Sequence, residues 1–191
     1  PLSNLYINNA GSNMVTYQEG ALEIEGYLYL QDGTFNTQGQ PDLDITGDVT
    51  VNNGCFFYGE TTAEITHGSL TINSGGEYDA TSGVTSITSG DFDNTGTFTH
   101  NDGSVDFTHS SNTQNVNENG TAEPTFYKFL MSKTGGTVVC WKDISIIHTL
   151  SQTGGRYLQF KGDQGSITAT FGSSSIACTI TEGNRCLASL A

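Results

Sequence analysis

Glycines recur at a fixed step along the first half of this chain. Gly26, Gly47, Gly68 and Gly90 stand 21, 21 and 22 residues apart, and Gly33, Gly54, Gly75 and Gly96 stand 21 apart each time. Gln31, Asn52, Asn73 and Asn94 keep the same step. Self-similarity at such a period marks a stacked repeat. Between the glycines apolar and polar residues alternate, as in Leu22, Glu23, Ile24 and again in Leu43, Asp44, Ile45. That is the period-two signature of a half-buried strand. A glycine at each corner permits φ > 0 where the chain must turn sharply. The pattern predicts an all-β protein, a parallel β-helix or β-solenoid with coils of about 21 residues. A β-sandwich of regular hairpins is the competing fold, but it has no reason to keep side-chain type in register from coil to coil.

Coils stacked at the inter-strand distance, about 4.8 Å, place like residues over like. One inward ladder is expected through Leu22, Leu43, Ala63 and Val84, with Ile24, Ile45, Ile65, Ile87 and Phe107 beside it. A second runs through Leu28, Val49, Leu70 and Phe92, and Phe35, Phe56, Tyr78 and Phe98 form an aromatic stack. Asn52, Asn73 and Asn94 are placed to hydrogen-bond along the axis as an amide ladder. Residues 1–108 thus read as solenoid coils, and the polar, unpatterned stretch 109–125 as a loop or extruded corner. Phe126 to Gly135 parallels Leu2 to Gly11, so 126–172 reads as further coils restarting the N-terminal pattern. Residues 173–191 match neither half and are assigned to a cap or a subunit-contact tail.

Several of these segments resemble a family. Residues 42–54, the run Gly96 to Phe107 and the run Phe126 to Val138 are similar to the β-strand-repeat segments of large adhesin- or haemagglutinin-like microbial surface proteins. The resemblance covers about residues 2–160. It implies an exported, right-handed parallel β-helix with a structural or adhesive role, and it carries over no catalytic residue.

The formal net charge is −14, with six Lys and Arg against twenty Asp and Glu. Phosphate backbones are held by Lys and Arg, so nucleic acid is not an expected partner. Anionic membrane surfaces are disfavoured for the same reason, and no apolar run is long enough to span a bilayer. The chain begins at Pro1 without an initiator Met or a signal-peptide pattern, and reads as a mature chain or an excerpt. Of its four cysteines, Cys178 and Cys186 flank a turn-like Glu182, Gly183, Asn184 and are expected to close a hairpin as a disulfide, while Cys55 and Cys140 stand alone. Such a bond belongs to an oxidising setting, which points to the extracellular space or the cell surface.

No nucleophile, P-loop or zinc-protease motif is present. His67, His100, His109 and His148 are far apart in sequence, and His67 and His109, two coils apart at similar corners, are read as surface residues rather than ligands. Glu23, Asp44, Glu64 and Asp106 fall at equivalent outward positions. Glu23, Asp44 and Glu64 are a weak candidate for Ca²⁺, with a solvated acidic face as the plainer reading, and no other cofactor is expected. Asn119, followed by Gly120 and Thr121, is a glycosylation sequon. Because each coil buries its apolar rows against its neighbours, solenoid ends are adhesive unless capped. Leu2, Leu5 and Ile7 begin the strand pattern at once, and Ile176 and Ile180 lie in the tail, so these residues are the expected subunit contacts. The leading expectation is a non-enzymatic extracellular filament or surface-fibre subunit, a homopolymer assembled head to tail. The alternatives are an adhesin stalk binding surface glycans and a tailspike-like polysaccharide-degrading enzyme.

Overall fold

The chain forms the expected β-solenoid. In the computed structural model, residues 1–9, 13–17, 20–39, 43–152 and 158–161 are described with their side chains, and the strands within 165–188 by their backbone course. Five successive coils each contribute three strands: β1 (Leu5–Asn8), β2 (Met14–Thr16) and β3 (Leu22–Ile24); β4 (Leu28–Asp32), β5 (Thr34–Asn36) and β6 (Leu43–Ile45); β7 (Val49–Val51), β8 (Phe56–Tyr58) and β9 (Ile65–His67); β10 (Leu70–Ile72), β11 (Glu77–Asp79) and β12 (Val84–Ile87); β13 (Phe92–Asn94), β14 (Thr97–Thr99) and β15 (Ser104–Phe107). Later coils contribute two: β16 (Gln114–Val116) and β17 (Thr125–Met131); β18 (Val138–Cys140) and β19 (Ile144–Gln152); β20 (Leu158–Phe160) and β21 (Gly165–Phe171). The chain ends with β22 (Ser174–Ile180) and β23 (Cys186–Ala188).

The strands stack into three sheets. The first strand of every coil joins a nine-stranded sheet from β1 to β23, the last joins another from β3 to β22, and the middle strands form a five-stranded sheet from β2 to β14. All pairings are parallel except β20 with β23 and β21 with β22. Parallel order follows from winding in one sense, since each strand meets its equivalent one coil away. Strand residues alternate between interior and surface, as in the buried Leu43 and Ile45 around the exposed Asp44. The interior is one continuous apolar column running from Ile7 to Phe160. Each fully buried Leu, Ile or Phe in it contributes about 1.5–3 kcal/mol.

The ladder Leu28, Val49, Leu70, Phe92 is found as expected. The other ladders carry corrections. Leu43 pairs with Ile65, not Ala63, and Ile45 with His67, which gives the rows Leu22, Leu43, Ile65, Thr85, Val105 and Ile24, Ile45, His67, Ile87, Phe107. The third coil is slipped by two residues relative to the sequence alignment. A two-residue slip preserves which side chains face inward, so alternation alone cannot detect it; the bulkier Ile65 takes the inner position and Ala63 falls in the bend. In the aromatic stack Phe57 replaces Phe56: Phe35 pairs with Phe57 and Phe57 with Tyr78. An extra residue at the Asn53–Gly54 turn puts Cys55 where Gly33 stands, because Phe56 N–H donates to Gly33 O and Glu77 N–H to Cys55 O. Phe56 is half-buried on the outer face, stacked on Tyr58 with 6.0 Å between centroids.

The two glycine series hold their corners for different reasons. Gly33, Gly54 and Gly75 have φ of 98°, 75° and 80°, the left-handed region that favours glycine. The Gly26, Gly47, Gly68, Gly90 series does not. There the backbones meet directly, with Gly47 N–H donating to Gly26 O at 2.9 Å and Gly68 N–H to Gly47 O at 2.7 Å. A Cβ on Gly47 would lie 2.3 Å from Gly26 O. Gly96 also lacks positive φ; a Cβ there would meet Gly76 O at 2.4 Å.

Stretch 109–125 is not loop throughout. It contains β16, which pairs in parallel with β13 and β18, and Gln114, Val116 and Asn117 are fully buried. Its polarity hid it, because the inward positions are filled by amides satisfied inside the fold. Nor does 126–131 repeat the placement of the chain start: β17 lies in the sheet of β3, while β1 lies in the opposite nine-stranded sheet.

Candidate functional site

Three places gather the features that bear on function: the open end of the first coil, the outer walls, and two polar insertions in the interior.

At the first coil, β1, β2 and β3 each have a strand neighbour on one side only. Leu2 bridges the outer edge of β3 in parallel, its N–H donating to Glu23 O and its carbonyl accepting from Glu25 N–H, both at 2.8 Å. The end exposes Leu2 (44%), Tyr6 (59%) and Met14 (51%). Of the expected contact residues, Leu2 is presented outward, Leu5 is half-buried and Ile7 belongs to the core. Sequence reasoning missed Met14, which lies in a strand too short for periodicity to register. Ile176 and Ile180 lie outside the residues whose side chains are described. At the other end, β22 and β23 run back antiparallel onto β21 and β20. The expected hairpin around Glu182 to Asn184 is therefore corrected: the strand of Cys178 pairs with β21 and that of Cys186 with β20, in different sheets. The bond between these two sulfurs falls outside the described side chains. Cys55 and Cys140 are free, buried thiols, both pushed up by burial.

On the outer wall beside the open end, Tyr6, Tyr27 and Tyr29 cluster. Tyr6 and Tyr27 rings meet edge-on at 5.2 Å with their hydroxyls hydrogen-bonded, and Tyr6 lies 6.0 Å from Tyr29. Farther along, Trp141 Nε1 donates to Asn115 Oδ1 at 3.0 Å, and Lys161 Nζ sits 4.1 Å over the indole. His100, Tyr127 and His148 stack in a column with centroids 5.7 and 4.9 Å apart.

The acidic candidates separate. Glu23 and Asp44 are in register, but the row continues through Thr66, Ser86 and Asp106, not Glu64. Glu64 instead accepts a short hydrogen bond from Ser86 Oγ. All three acids line one open depression of about 370 Å³ with Leu22, Leu43 and Thr66. Among the described residues no three His, Cys, Asp or Glu gather closely enough to hold a metal ion. The amide ladder is real at one step, where Asn73 Nδ2 donates to Asn52 Oδ1 at 2.8 Å. Asn94 leaves it: it pairs with Ile72, is buried, and its Oδ1 accepts Gly96 N–H. The sequon residue Asn119 is exposed at the bend after β16, its backbone N–H and Nδ2 both donating to the Asp93 carboxylate at 3.0 and 3.1 Å.

The interior holds two polar groups that the sequence did not announce. His67, expected at the surface, is fully buried. Its Nε2 is 2.5 Å from Tyr78 Oη, and its Nδ1 has no partner. Burial pushes the imidazole down to about 3 and the Tyr78 phenol up. Lys133 is buried as well, its Nζ donating to Gln114 Oε1 at 2.7 Å. Gln114 in turn accepts His109 N–H and donates to Ile87 O and Gly90 O, both at 2.9 Å. Burial lowers the Lys133 ammonium to about 8.

The geometry defines a class, the three-sheet parallel β-solenoid, and nothing narrower. No protein-family model, no curated protein and no solved structure matches the chain.

Proposed function

We propose that this chain is a non-enzymatic structural solenoid of the cell exterior, a subunit of a filament or surface fibre that extends by stacking coil on coil. The observation that carries this reading is the first coil, where among the described residues β1 and β2 keep an open parallel edge, Leu2 alone bridges the edge of β3, and Leu2, Tyr6 and Met14 are exposed. An unpaired edge of this kind is a template for another strand, and contact between unlike ends of identical chains builds an open filament. The acidic surface and the scarcity of lysine fit a soluble extracellular polymer. Sedimentation and negative-stain microscopy across a concentration series test the reading. Fibres that lengthen with concentration, and are abolished by Met14→Lys with the fold intact, are the expected result. Monodisperse short rods at every concentration overturn it.

A second reading, an adhesin stalk that binds surface glycans, is favoured by the Tyr6, Tyr27, Tyr29 cluster, since exposed tyrosines pair an apolar face with a polar tip. Short rods that bind glycans through these tyrosines, and lose that binding in Tyr6→Ala, would move the assignment there.

A further inference from the structure

His67 is the one ionisable rung in an otherwise apolar inner row, Ile24, Ile45, His67, Ile87, Phe107. Its ring is enclosed by Phe57 and Tyr78, both edge-on, at 5.9 and 5.7 Å. One nitrogen meets the Tyr78 hydroxyl and the other meets nothing. A neutral imidazole fits this site at the expense of one unsatisfied atom. An imidazolium does not: both nitrogens become donors, the Thr66 backbone gives the ring support that burial outweighs, and a charge stands in the core without a counter-ion.

The surrounding groups offer no relief. The titratable side chains on the strands packed about His67 are Asp44 on β6, Tyr58 on β8 and Glu77, Tyr78 and Asp79 on β11, with Glu64 before β9 and Cys55 before β8; β12 and the facing β7 and β10 carry none. Asp44 and Glu64 are exposed, and Tyr58, Glu77 and Asp79 occupy half-exposed outward positions. Cys55 is a buried thiol. Tyr78 is the titratable group in contact with the ring, and its burial keeps it neutral.

We propose that His67 is an acid sensor built into the middle of the rod: protonating its ring is incompatible with the wound third and fourth coils, so mildly acidic surroundings loosen the solenoid there. Coils in a solenoid contact only their neighbours, so opening can begin internally and locally. The sign follows from linkage. With its pKa at about 3 in the fold, against an ordinary value of 6.5, the unfolded chain binds more protons than the folded one between those limits. Stability is therefore complete above about pH 6.5 and declines as pH falls through it, down to about pH 3. Lowering pH from 7 to 5 raises the unfolding constant of this coil pair about 25-fold. In the same interval the acidic surface works the other way, since carboxylate protonation relieves repulsion among a formal net charge of −14.

The test is urea unfolding and amide exchange on the full chain at pH 7 and pH 5, with exchange corrected for its intrinsic pH dependence, for the parent and for His67→Leu. The expected outcome is a loss of protection at pH 5 centred on residues 49–87 in the parent, and a pH 5-to-7 ratio of unfolding constants smaller by about an order of magnitude in His67→Leu. An equal ratio in the two proteins overturns the proposal. Should His67→Leu fail to fold, imidazole chemical shifts of the parent decide instead: a ring that stays neutral at pH 5 while protection in the two coils falls supports the sensor, and one that titrates near 6.5 in an intact fold refutes it. Neither readout depends on whether the chain forms fibres.

Discussion

The first five coils are three-sided and the later ones two-sided, and the same interior column runs through both. In the three-sided region each coil is built from strands of three to five residues with a glycine-assisted corner between them. Beyond β14 the middle sheet stops, and β17 and β19 lengthen to seven and nine residues. The column does not break at that junction. Phe35, Phe57, Tyr78 and Phe98 stack along the middle sheet with centroids 5.5, 4.5 and 6.1 Å apart. Phe126, from β17, then lies 5.7 Å from Phe98 and 5.1 Å from Phe129. An aromatic from a neighbouring sheet thus fills the space from which a whole strand is missing. A solenoid can change cross-section where one large side chain keeps the interior filled, because close packing is what the coils require.

That places the largest expected effect on Phe126. Phe126→Ala removes a fully buried ring at the one point where no middle strand can shift inward to compensate, and should cost about 4 kcal/mol. Phe57→Ala, in the three-sided region, should cost about the same, whereas Phe56→Ala, half-buried on the outer face, should cost well under half as much. Urea unfolding of the three variants checks this. A Phe126 cost below that of Phe56 would mean that the junction is held by something other than the aromatic bridge.

The glycine corners sharpen the contrast from the other side. Gly47→Ala forces a methyl into the Gly26 carbonyl, backbone against backbone, and should destabilise by about 3 kcal/mol, the upper end of overpacking effects. Gly54 has room for a Cβ, with nothing within 4 Å, but a φ of 75°. Gly54→Ala should cost about 1 kcal/mol, and Gly54→Asn less, since asparagine tolerates the left-handed region. At position 47 asparagine should be no better than alanine. Thermal unfolding of the four variants separates the two kinds of corner; equal tolerance at both positions would undo it.

How much of this was legible differs between the regions for a physical reason. The 21-residue glycine step and the alternation between corners were enough for the fold class and for the row Leu28, Val49, Leu70, Phe92. What the pattern could not resolve was register, since it fixes only the parity of each strand. Ala63 against Ile65 is a slip that parity cannot see, and it decided whether Ile65 or His67 faced Ile45. Phe56 against Phe57 is a slip that parity should see, but Phe56, Phe57 and Tyr58 are consecutive aromatics, so either frame places a ring inside. β16 was hidden because Gln114 and Asn117 are inward polar residues, satisfied in part by partners distant in sequence, such as Lys133 and Asn94. A weak signal for it existed in Val116, 24 residues from both Phe92 and Cys140, but that step exceeds the 21-residue period and no glycine stands at the corner before β16. The open end was legible in Leu2 and illegible in Met14, whose exposure depends on which coil lies above it.

The two-sided region also replaces apolar ladder positions with a polar insertion, and Lys133 gives the smallest and most specific test. Its ammonium, ordinarily near 10.5, is lowered to about 8 by burial, with the Gln114 carbonyl as its side-chain acceptor. Between those values the unfolded chain carries the proton and the folded chain does not, so the Lys133 contribution to stability should grow as pH rises from about 8 to 10.5, against the opposite trend of the buried Cys55, Cys140 and Tyr78, whose raised values cost stability as pH rises. The displacement corresponds to at most about 3 kcal/mol, and about 2 kcal/mol once solvent screening at a corner residue is allowed for. Lys133→Met keeps the length of the side chain and removes the charge. It should make the profile above pH 8 less favourable than the parent's by the Lys133 contribution while leaving stability at pH 7 unchanged or higher, because a buried charge held by a neutral amide stabilises less than an apolar isostere. Gln114→Leu is the opposite case: it strands Lys133 without an acceptor and should destabilise at pH 7, with part of the loss recovered at pH 10. Urea midpoints at pH 7, 8.5 and 10 distinguish these outcomes. The same pH profile in the parent and in Lys133→Met would show that the ammonium reaches water, and that the two-sided coils are as open at this corner as the three-sided coils are closed at theirs.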